Sequence, residues 1–211
     1  FGPEDLCLIG VPSYGGRVPA AALERLREMT ANGAFAVIVA VYGNRAIDDT
    51  LLELQQELIA RGFRVLAAIA AVAEHSIMRQ YGAGRPDAQD KTELRQFARA
   101  IRQKLMDIGD EDACTIHVPG NVPYREYHGV PLKPKAGSSC AACGLCAREC
   151  PVQAIPPDNP RATEESRCIS CMRCISLCPQ HARRLDETTL LASSLRLKKA
   201  CESRKENTLY L

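Results

Sequence analysis

Apolar residues in the first half of the chain follow two periodicities in alternation. Three runs are apolar at nearly every position, without the polar alternation of a strand with one solvated face, and they cover residues 6–11, 35–41 and 65–72. Elsewhere apolar residues recur every three or four positions, as on one face of a helix, over residues 20–29, 49–61 and 90–108. In the second helix the buried side is predicted to contain Leu51, Leu52, Leu54, Leu58 and Ile59. The third is expected to be capped by Asp90, with Glu93 three residues on. The pattern therefore predicts strands that alternate with helices.

Continuous apolar strands are typical of a sheet that is covered on both faces. Because each predicted strand is followed by a helix, we expect a parallel sheet with helices on both sides, which is a doubly wound α/β domain. In such folds the ligand site lies in the loops beyond the carboxyl ends of the strands. Here those loops are residues 12–19, 42–48 and 73–77.

Proline and glycine interrupt this pattern after residue 118 and crowd the following stretch, so regular structure is not expected there. We therefore predict an α/β domain at residues 1–118, with a short last strand at 115–118, and a connector at 119–135. A small cysteine-rich α+β domain is predicted at 136–185 and a C-terminal helical segment at 186–211. The helix itself is expected over residues 188–205, with its leucines on the buried side and Arg and Lys outside.

Eight of the eleven cysteines lie in two runs with the same spacing, C-x-x-C-x-x-C-x-x-x-C-P. Each position recurs 28 residues later (168 minus 140 for the first cysteine), so the segment is an internal duplication. This spacing is that of bacterial ferredoxins with two 4Fe-4S clusters, in which the fourth cysteine of each run binds the cluster of the other run. One cluster is therefore predicted on Cys140, Cys143, Cys146 and Cys178, and the other on Cys168, Cys171, Cys174 and Cys150.

Two other uses of the cysteines are weaker. Structural zinc takes four ligands, usually as two separated pairs, whereas each run here has four in one short segment followed by proline. Disulfides need an oxidising compartment, and the first residues carry neither the basic nor the apolar region of a secretory signal. We therefore expect a cytoplasmic protein with reduced cysteines. Cys7, Cys114 and Cys201 lie outside the runs and receive no chemical role.

Composition and charge exclude some partners. The chain has 211 residues, 46% of them hydrophobic, and a formal net charge of +2. Two oxidised 4Fe-4S clusters with their thiolates would add about −4 and make the loaded protein weakly acidic. Aromatic residues make up only 5% of the chain, so neither a basic surface nor a base-stacking platform for nucleic acid is expected. The longest apolar runs are too short to span a membrane.

The loops after the first two strands carry a family resemblance. Residues 6–11 are followed by Pro-Ser-Tyr-Gly-Gly and residues 37–41 by Tyr-Gly-Asn-Arg, which resembles the third and fourth strands of a flavodoxin with the loops that flank its flavin. Together with the cysteine runs, the chain resembles the flavodoxin-ferredoxin fusion proteins of anaerobic bacteria and archaea. The resemblance implies that FMN has contacts on one side with Ser13, Tyr14, Gly15 and Gly16, and on another with Tyr42, Gly43 and Asn44.

The resemblance is incomplete at the amino end. Flavodoxins hold the FMN phosphate in a Thr/Ser- and Gly-rich loop after their first strand, and no such segment precedes residue 6. In the flavodoxin strand order 2-1-3-4-5, residues 6–11 would lie at an unpaired edge, which is an aggregation hazard. We therefore expect a missing segment of roughly 50 residues or a partner at this edge. The expected fold is an incomplete flavodoxin-like sheet followed by a two-cluster ferredoxin domain, with FMN in the full-length protein rather than in this chain.

Three functions fit these features. The leading interpretation is electron transfer through two 4Fe-4S clusters between a redox partner protein and FMN in the α/β domain, because a flavin converts between one- and two-electron steps. A flavin-dependent reductase fed by the clusters is the second, and a flavin-free iron-sulfur interaction module is the third. No acid-base pair in the loops indicates a substrate, so an electron carrier without catalytic residues is expected rather than a stand-alone oxidoreductase.

Overall fold

The structure, a computed structural model, describes residues 1–107, 109 and 116–211. The chain forms two compact units: the first consists of Phe1–His75, Gln80–Tyr127 and Ala200–Leu211, and the second of Ser76–Arg79 and His128–Lys199. In chain order the elements are β1 (Leu6–Pro12), α1 (Ala20–Arg27), β2 (Phe35–Tyr42), α2 (Thr50–Ala60), β3 (Arg64–Val72), α3 (Ala88–Asp107), β4 (Lys135–Ala136), α4 (Leu145–Arg148), α5 (Arg173–Ser176), β5 (Arg183–Arg184), α6 (Glu187–Cys201) and β6 (Thr208–Tyr210).

A four-stranded sheet organises the first unit, with the strands in the order β1-β2-β3-β6. The first three strands are parallel, and their register places Ile9 opposite Ile38 and Val39 opposite Ile69. β6 pairs antiparallel with β3. The prediction of an α/β fold with a parallel sheet is therefore confirmed.

Helices cover both faces of this sheet. On one face α1 and α2 bury Leu26, Leu54 and Leu58 against the three parallel strands. On the other face Ile101 of α3 packs on β2 and β3, and each fully buried side chain of this kind stabilises the fold by roughly 1.5–3 kcal/mol. The second core includes no residue of β1, which is an edge strand, so Leu8 remains 74% exposed.

Two helices depart from the predicted pattern. In α2, Leu51, Leu54 and Leu58 are buried as expected, whereas Ile59 is exposed because its position points away from the centre of the buried stripe. Asp90, predicted as the cap of α3, lies inside its first turn. Asp87 precedes the helix instead, and its carboxylate accepts a hydrogen bond from the backbone N–H of Asp90 at 3.0 Å.

The ends of the first unit also differ from prediction. The strand expected at 115–118 begins outside the described residues, and residues 116–118 form no strand. The unit continues past the predicted boundary at 118 because the backbone N–H groups of Asn121 and Arg125 donate to the buried carboxylate of Asp49. The segment 186–211, predicted as helical, ends its helix at Cys201 and adds the strand β6.

The second unit contains little regular structure. β4 and β5 form an antiparallel pair in which Ala136 lies opposite Arg183, and α4 and α5 have four residues each. Two of the leucines expected on the buried side of the C-terminal helix, Leu191 and Leu195, are exposed. Within the described part of the chain, every helix is too short or too polar to cross a membrane.

Candidate metal centre

Two cavities in the second unit are each lined by four cysteines. The first cavity is lined by Cys140, Cys143, Cys146 and Cys178. The second cavity is lined by Cys150, Cys168, Cys171 and Cys174. Each therefore combines three cysteines of one run with the fourth cysteine of the other run, in the two sets that crossed ligation predicts. All eight thiols are free of disulfide bonds.

The backbone repeats the duplication of the sequence. Each run forms a loop that leads into a four-residue helix, and three pairs of residues 28 positions apart have positive φ. These pairs are Ala142 with Ser170, Gly144 with Met172, and Gln153 with His181. Left-handed backbone costs a residue other than glycine roughly 1–2 kcal/mol, so its repetition indicates a geometric requirement. Such residues turn successive N–H groups toward one point, which is the anion-binding arrangement found around many iron-sulfur sites.

Backbone N–H groups reach the fourth cysteine of each run. Ala154 N donates to Cys150 Sγ at 3.2 Å, and Ala182 N donates to Cys178 Sγ at 3.3 Å. Burial alone would raise the pKa of Cys178, but the backbone N–H groups of Ala182, Arg183 and Gln180 hold that pKa below its ordinary value. These donors stabilise a sulfur that carries negative charge.

Burial has the opposite effect on two ligands of the second cavity. It raises the pKa of Cys174 to about 12 and also raises the pKa of Cys171. Buried thiols of this kind stay protonated until a bound cation takes the place of the proton, since a coordinating thiol is deprotonated outright. The second cavity therefore suits a metal centre better than a free thiolate nucleophile.

The arrangement of the cysteines fits a cluster. Among the described residues, no three His, Cys, Asp or Glu side chains converge as a single metal ion requires. A tetrahedral zinc site with bonds of about 2.3 Å would hold its sulfurs about 3.8 Å apart. A cube of iron and sulfide instead binds thiolates at its outer corners, further apart. Four cysteines around each cavity, with a backbone N–H donated to the fourth cysteine of each run, match the donor set of such a cube.

Sequence reasoning missed one buried residue of this centre, Arg183. Its side chain is 2% exposed and lines the first cavity. Nη2 donates to the carbonyl oxygens of Pro160 at 2.5 Å and Ala162 at 2.9 Å, and Nη1 donates to Thr163 Oγ1 at 2.6 Å. The arginine thereby fastens the loop between the cysteine runs to β5. The sequence did contain a signal: the second repeat has the charged Arg183 at the position where the first repeat has the apolar Ile155.

The residues predicted to flank FMN lie together at the carboxyl edge of the sheet in the first unit. Ser13 N donates to Val41 O at 2.8 Å, and Ser13 Oγ lies 2.7 Å from Thr50 Oγ1. Asp49 N donates to Gly16 O at 3.0 Å, so the loops after β1 and β2 are in direct contact. Tyr14 pairs with Arg17 in a single β-bridge. The structure thus brings the two loops together, and their contact with a flavin stays a prediction.

Several surfaces of these loops contact other parts of the first unit. A Cβ added at Gly15 would lie 2.1 Å from the ring of Tyr127, and one added at Gly43 would lie 2.7 Å from the Cα of His75. Tyr42 Oη donates to Glu206 O at 3.5 Å. The amide of Asn44, at 3% exposure, is bound by the segment between α6 and β6. The groups that the resemblance assigns to the polar edge of a flavin are therefore engaged within the chain.

Comparison with known proteins bears on the second unit. Residues 139–183 match the family described as 4Fe-4S dicluster domain. No curated protein matches the chain. The matched segment contains both cysteine runs and ends at Arg183. This match supports a ferredoxin-type domain at residues 139–183, with 4Fe-4S binding and a role in iron-sulfur electron transfer.

Proposed function

We propose that this protein transfers electrons through two 4Fe-4S clusters, one in each cavity. The observation that carries the proposal is the division of the eight cysteines into two sets of four around two cavities. A 4Fe-4S cluster supplies one-electron chemistry when bound. The chain's own contribution is to hold the thiolates, to direct backbone N–H groups at the sulfurs and to limit the access of water.

The two sites differ in their access to solvent. Cys143 in the first cavity is exposed, whereas the cysteines of the second cavity are only partly exposed. An exposed ligand places the first site where another protein can approach it. We propose a separate redox protein as the partner and no catalytic residue in this chain.

The resemblance to flavodoxin-ferredoxin fusions extends the proposal for the full-length family. There the residues from Ser13 to Gly16 and from Tyr42 to Asn44 would flank FMN, and the α/β domain would exchange electrons with the clusters. In this chain the amide of Asn44 already donates to Cys201 and Ser203. We therefore propose FMN for the flavodoxin-ferredoxin fusion proteins that the chain resembles rather than for these loops. A cytoplasmic location remains part of the proposal, because it keeps the thiols reduced.

The test is anaerobic reconstitution of the full chain, followed by iron, sulfide, flavin and zinc analysis. Two cubes predict about eight iron and eight sulfide per chain. Cys143→Ser should lower both counts, whereas Cys7→Ser, a thiol outside the cavities, should leave them unchanged. Zinc in place of iron, or iron without sulfide, would overturn the proposal. Flavin absorption with turnover of a small oxidant would instead favour the flavin-dependent reductase.

A further inference from the structure

The cysteine repeat is broken at one buried position near both cavities. Ile155 and Arg183 are equivalent, since 183 minus 155 equals the repeat shift of 28. They are 3% and 2% exposed. Ile155 lines the second cavity, and Arg183 lines the first. At this position the duplicated halves therefore place a buried neutral side chain beside one site and a buried cation beside the other.

The guanidinium of Arg183 has one N–H without an acceptor in the protein. Four of its five N–H groups donate to oxygens, namely Pro134 O, Thr163 Oγ1, Pro160 O and Ala162 O. The Nε–H is buried and has no partner among the described residues. An unsatisfied donor on a buried cation is costly. Sulfurs of a cluster in the first cavity would provide the missing acceptor.

Arg183 also lacks a protein counter-charge. Among the side chains that the structure describes, its four acceptors are neutral oxygens, and no carboxylate lies within ion-pair distance. A buried cation without an anion is strongly destabilising. An oxidised 4Fe-4S cube with four thiolates carries about −2, and one further electron makes it about −3. The charge of Arg183 is thus balanced best in the reduced state.

The linings of the two cavities differ in the same direction at three further pairs of equivalent positions, and in the opposite direction at one, where the second cavity has the exposed Arg173 and the first has Leu145. The second cavity has Val152, Ile169 and Met172, where the first has Gln180, Ala141 and Gly144. Larger apolar side chains exclude water and disfavour the more negative state of a cluster, whereas hydrogen-bond donors favour it.

We propose that Arg183 makes the two clusters unequal, by donating Nε–H to the cluster of the first cavity and by raising its reduction potential above that of the second. This inference rests on the proposed function. An electron supplied by a redox protein is then held beside Arg183, in the cavity that has the exposed ligand Cys143. Electrons then move in one direction through the domain, from the cluster of the second cavity to that of the first and on to a partner protein.

Two cations act against this difference. Arg173 lines the second cavity, but it is exposed and its Nη2 forms an ion pair with Glu149 Oε2 at 2.5 Å. Lys133 Nζ donates to Cys168 O at 2.5 Å and to Ser170 Oγ at 3.1 Å, beside the second cavity. Its side chain is partly exposed, so solvent screens its charge more than that of Arg183. Arg183 itself acts electrostatically on Cys174 of the second set as well as on Cys178 of the first. Its removal should therefore lower both potentials, and the first by more because Arg183 lines the first cavity and not the second.

The experiment is an anaerobic redox titration of the reconstituted full chain, followed by electron paramagnetic resonance. Two one-electron steps are expected, and the cluster of the first cavity should be at least tenfold easier to reduce than the other. A tenfold difference in the equilibrium constant corresponds to 59 mV for one electron. A Cys168→Ser/Cys171→Ser variant, which retains the ligands of the first cavity, identifies the signal of that site. Equal potentials, or the reverse order, would overturn the inference.

Variants at Arg183 test whether this residue causes the difference between the two reduction potentials. Arg183→Met, which removes the charge and keeps an unbranched side chain, should make the first site at least tenfold harder to reduce. Arg183→Lys should recover part of this loss, because the charge returns without the Nε–H. Ile155→Met, the matched change in the other repeat, should leave the first potential unchanged.

The results separate this inference from the function on which it rests. Wild-type protein that binds two clusters of indistinguishable potential keeps the electron-transfer proposal and rejects the role of Arg183. An equal shift of both potentials in Arg183→Met also rejects it. Wild-type protein that binds no cluster rejects the proposed function itself. If Arg183→Met does not bind its clusters, the order of reduction in the wild-type protein and the titration of Arg183→Lys still test the role of Arg183.

Discussion

The side-chain amide of Asn44 donates a hydrogen bond to the carbonyl oxygen of Cys201 at 2.7 Å, across 157 residues of chain. The same amide nitrogen donates to Ser203 O at 2.9 Å, and Asn44 Oδ1 accepts from Lys205 N at 3.1 Å. Asn44 is 3% exposed and has a φ of 62°. One side chain therefore joins the loop after β2 to the segment that leads into β6.

Replacing Asn44 by glycine should destabilise the first unit. Glycine accepts the positive φ without strain. The decrease in the free energy of unfolding, about 2–3 kcal/mol, therefore comes from the missing hydrogen bonds. Denaturant unfolding followed by circular dichroism measures it. Asn32→Gly, at an exposed position, is the matched control and should cost no more than about 1 kcal/mol. Equal effects of the two changes would show that the Asn44 contacts are unimportant.

A buried ion pair is the second point at which the carboxyl-terminal segment is held. Asp90 is fully buried, and its Oδ2 accepts a hydrogen bond from Arg85 Nε at 2.9 Å. Its Oδ1 accepts a second hydrogen bond from Asn207 Nδ2 at 2.9 Å. Asp90→Asn should cost about 3–5 kcal/mol, because it leaves Arg85 buried without its counter-charge. Glu28→Gln, at an exposed site, provides the comparison in the same unfolding assay. A loss no larger than that of Glu28→Gln would contradict the prediction.

The same carboxylate predicts a pH dependence. The hydrogen bonds from Arg85 hold the pKa of Asp90 far below its ordinary value, although burial alone would raise it. A depressed folded pKa means that the stabilisation is complete above the unfolded pKa of about 3.9 and is lost as the pH falls toward the folded pKa. From about pH 5 to pH 3, the wild-type protein should lose more stability than Asp90→Asn. Parallel curves for the two proteins would count against this role.

Crossed ligation predicts how pairs of cysteine substitutions combine. Cys140 and Cys178 line the same cavity, so the double serine variant should disturb one cluster and keep about four iron per chain. Cys168 and Cys178 line different cavities, so their double variant should disturb both clusters and retain clearly less iron. The two variants carry the same number of substitutions and control for each other. The opposite ranking of iron content would show that each run binds its own cluster.

Removal of iron should unfold the second unit. Its large buried apolar residues include few beyond Leu132, Ile155 and Met172, and a core of this size needs a further constraint. After anaerobic chelation, trypsin should cleave at Arg148 and Arg161 at least about tenfold faster, while Phe1–His75 stays protected. Reconstitution with iron and sulfide should restore resistance. A digest that chelation leaves unchanged would mean that the polypeptide alone stabilises this unit.

Local patterns predicted a large part of the fold. The three parallel strands and the helices between them were recognisable because burial on both faces leaves continuous apolar runs, as in β3. Three-residue β6 has no such pattern, and its antiparallel pairing with β3 depends on a chain that returns from far away. The prediction of Asp90 as the cap of α3 was wrong, because Asp87 and Asp90 both have side chains that could accept the capping hydrogen bond. Only the three-dimensional arrangement, with Arg85 beside Asp90, assigns their roles.

The ligand chemistry of the candidate site could be predicted from the cysteine spacing. The cysteine spacing and its 28-residue repeat specify two sets of soft ligands, since ligand type and short-range spacing are local properties. The tertiary structure alone decided what surrounds them. Arg183 lies buried at one cavity and Ile155 at the other, and Asn44 binds the segment beyond α6. Such contacts join residues distant in the chain, and local periodicity contains no information about which distant group will satisfy a buried donor.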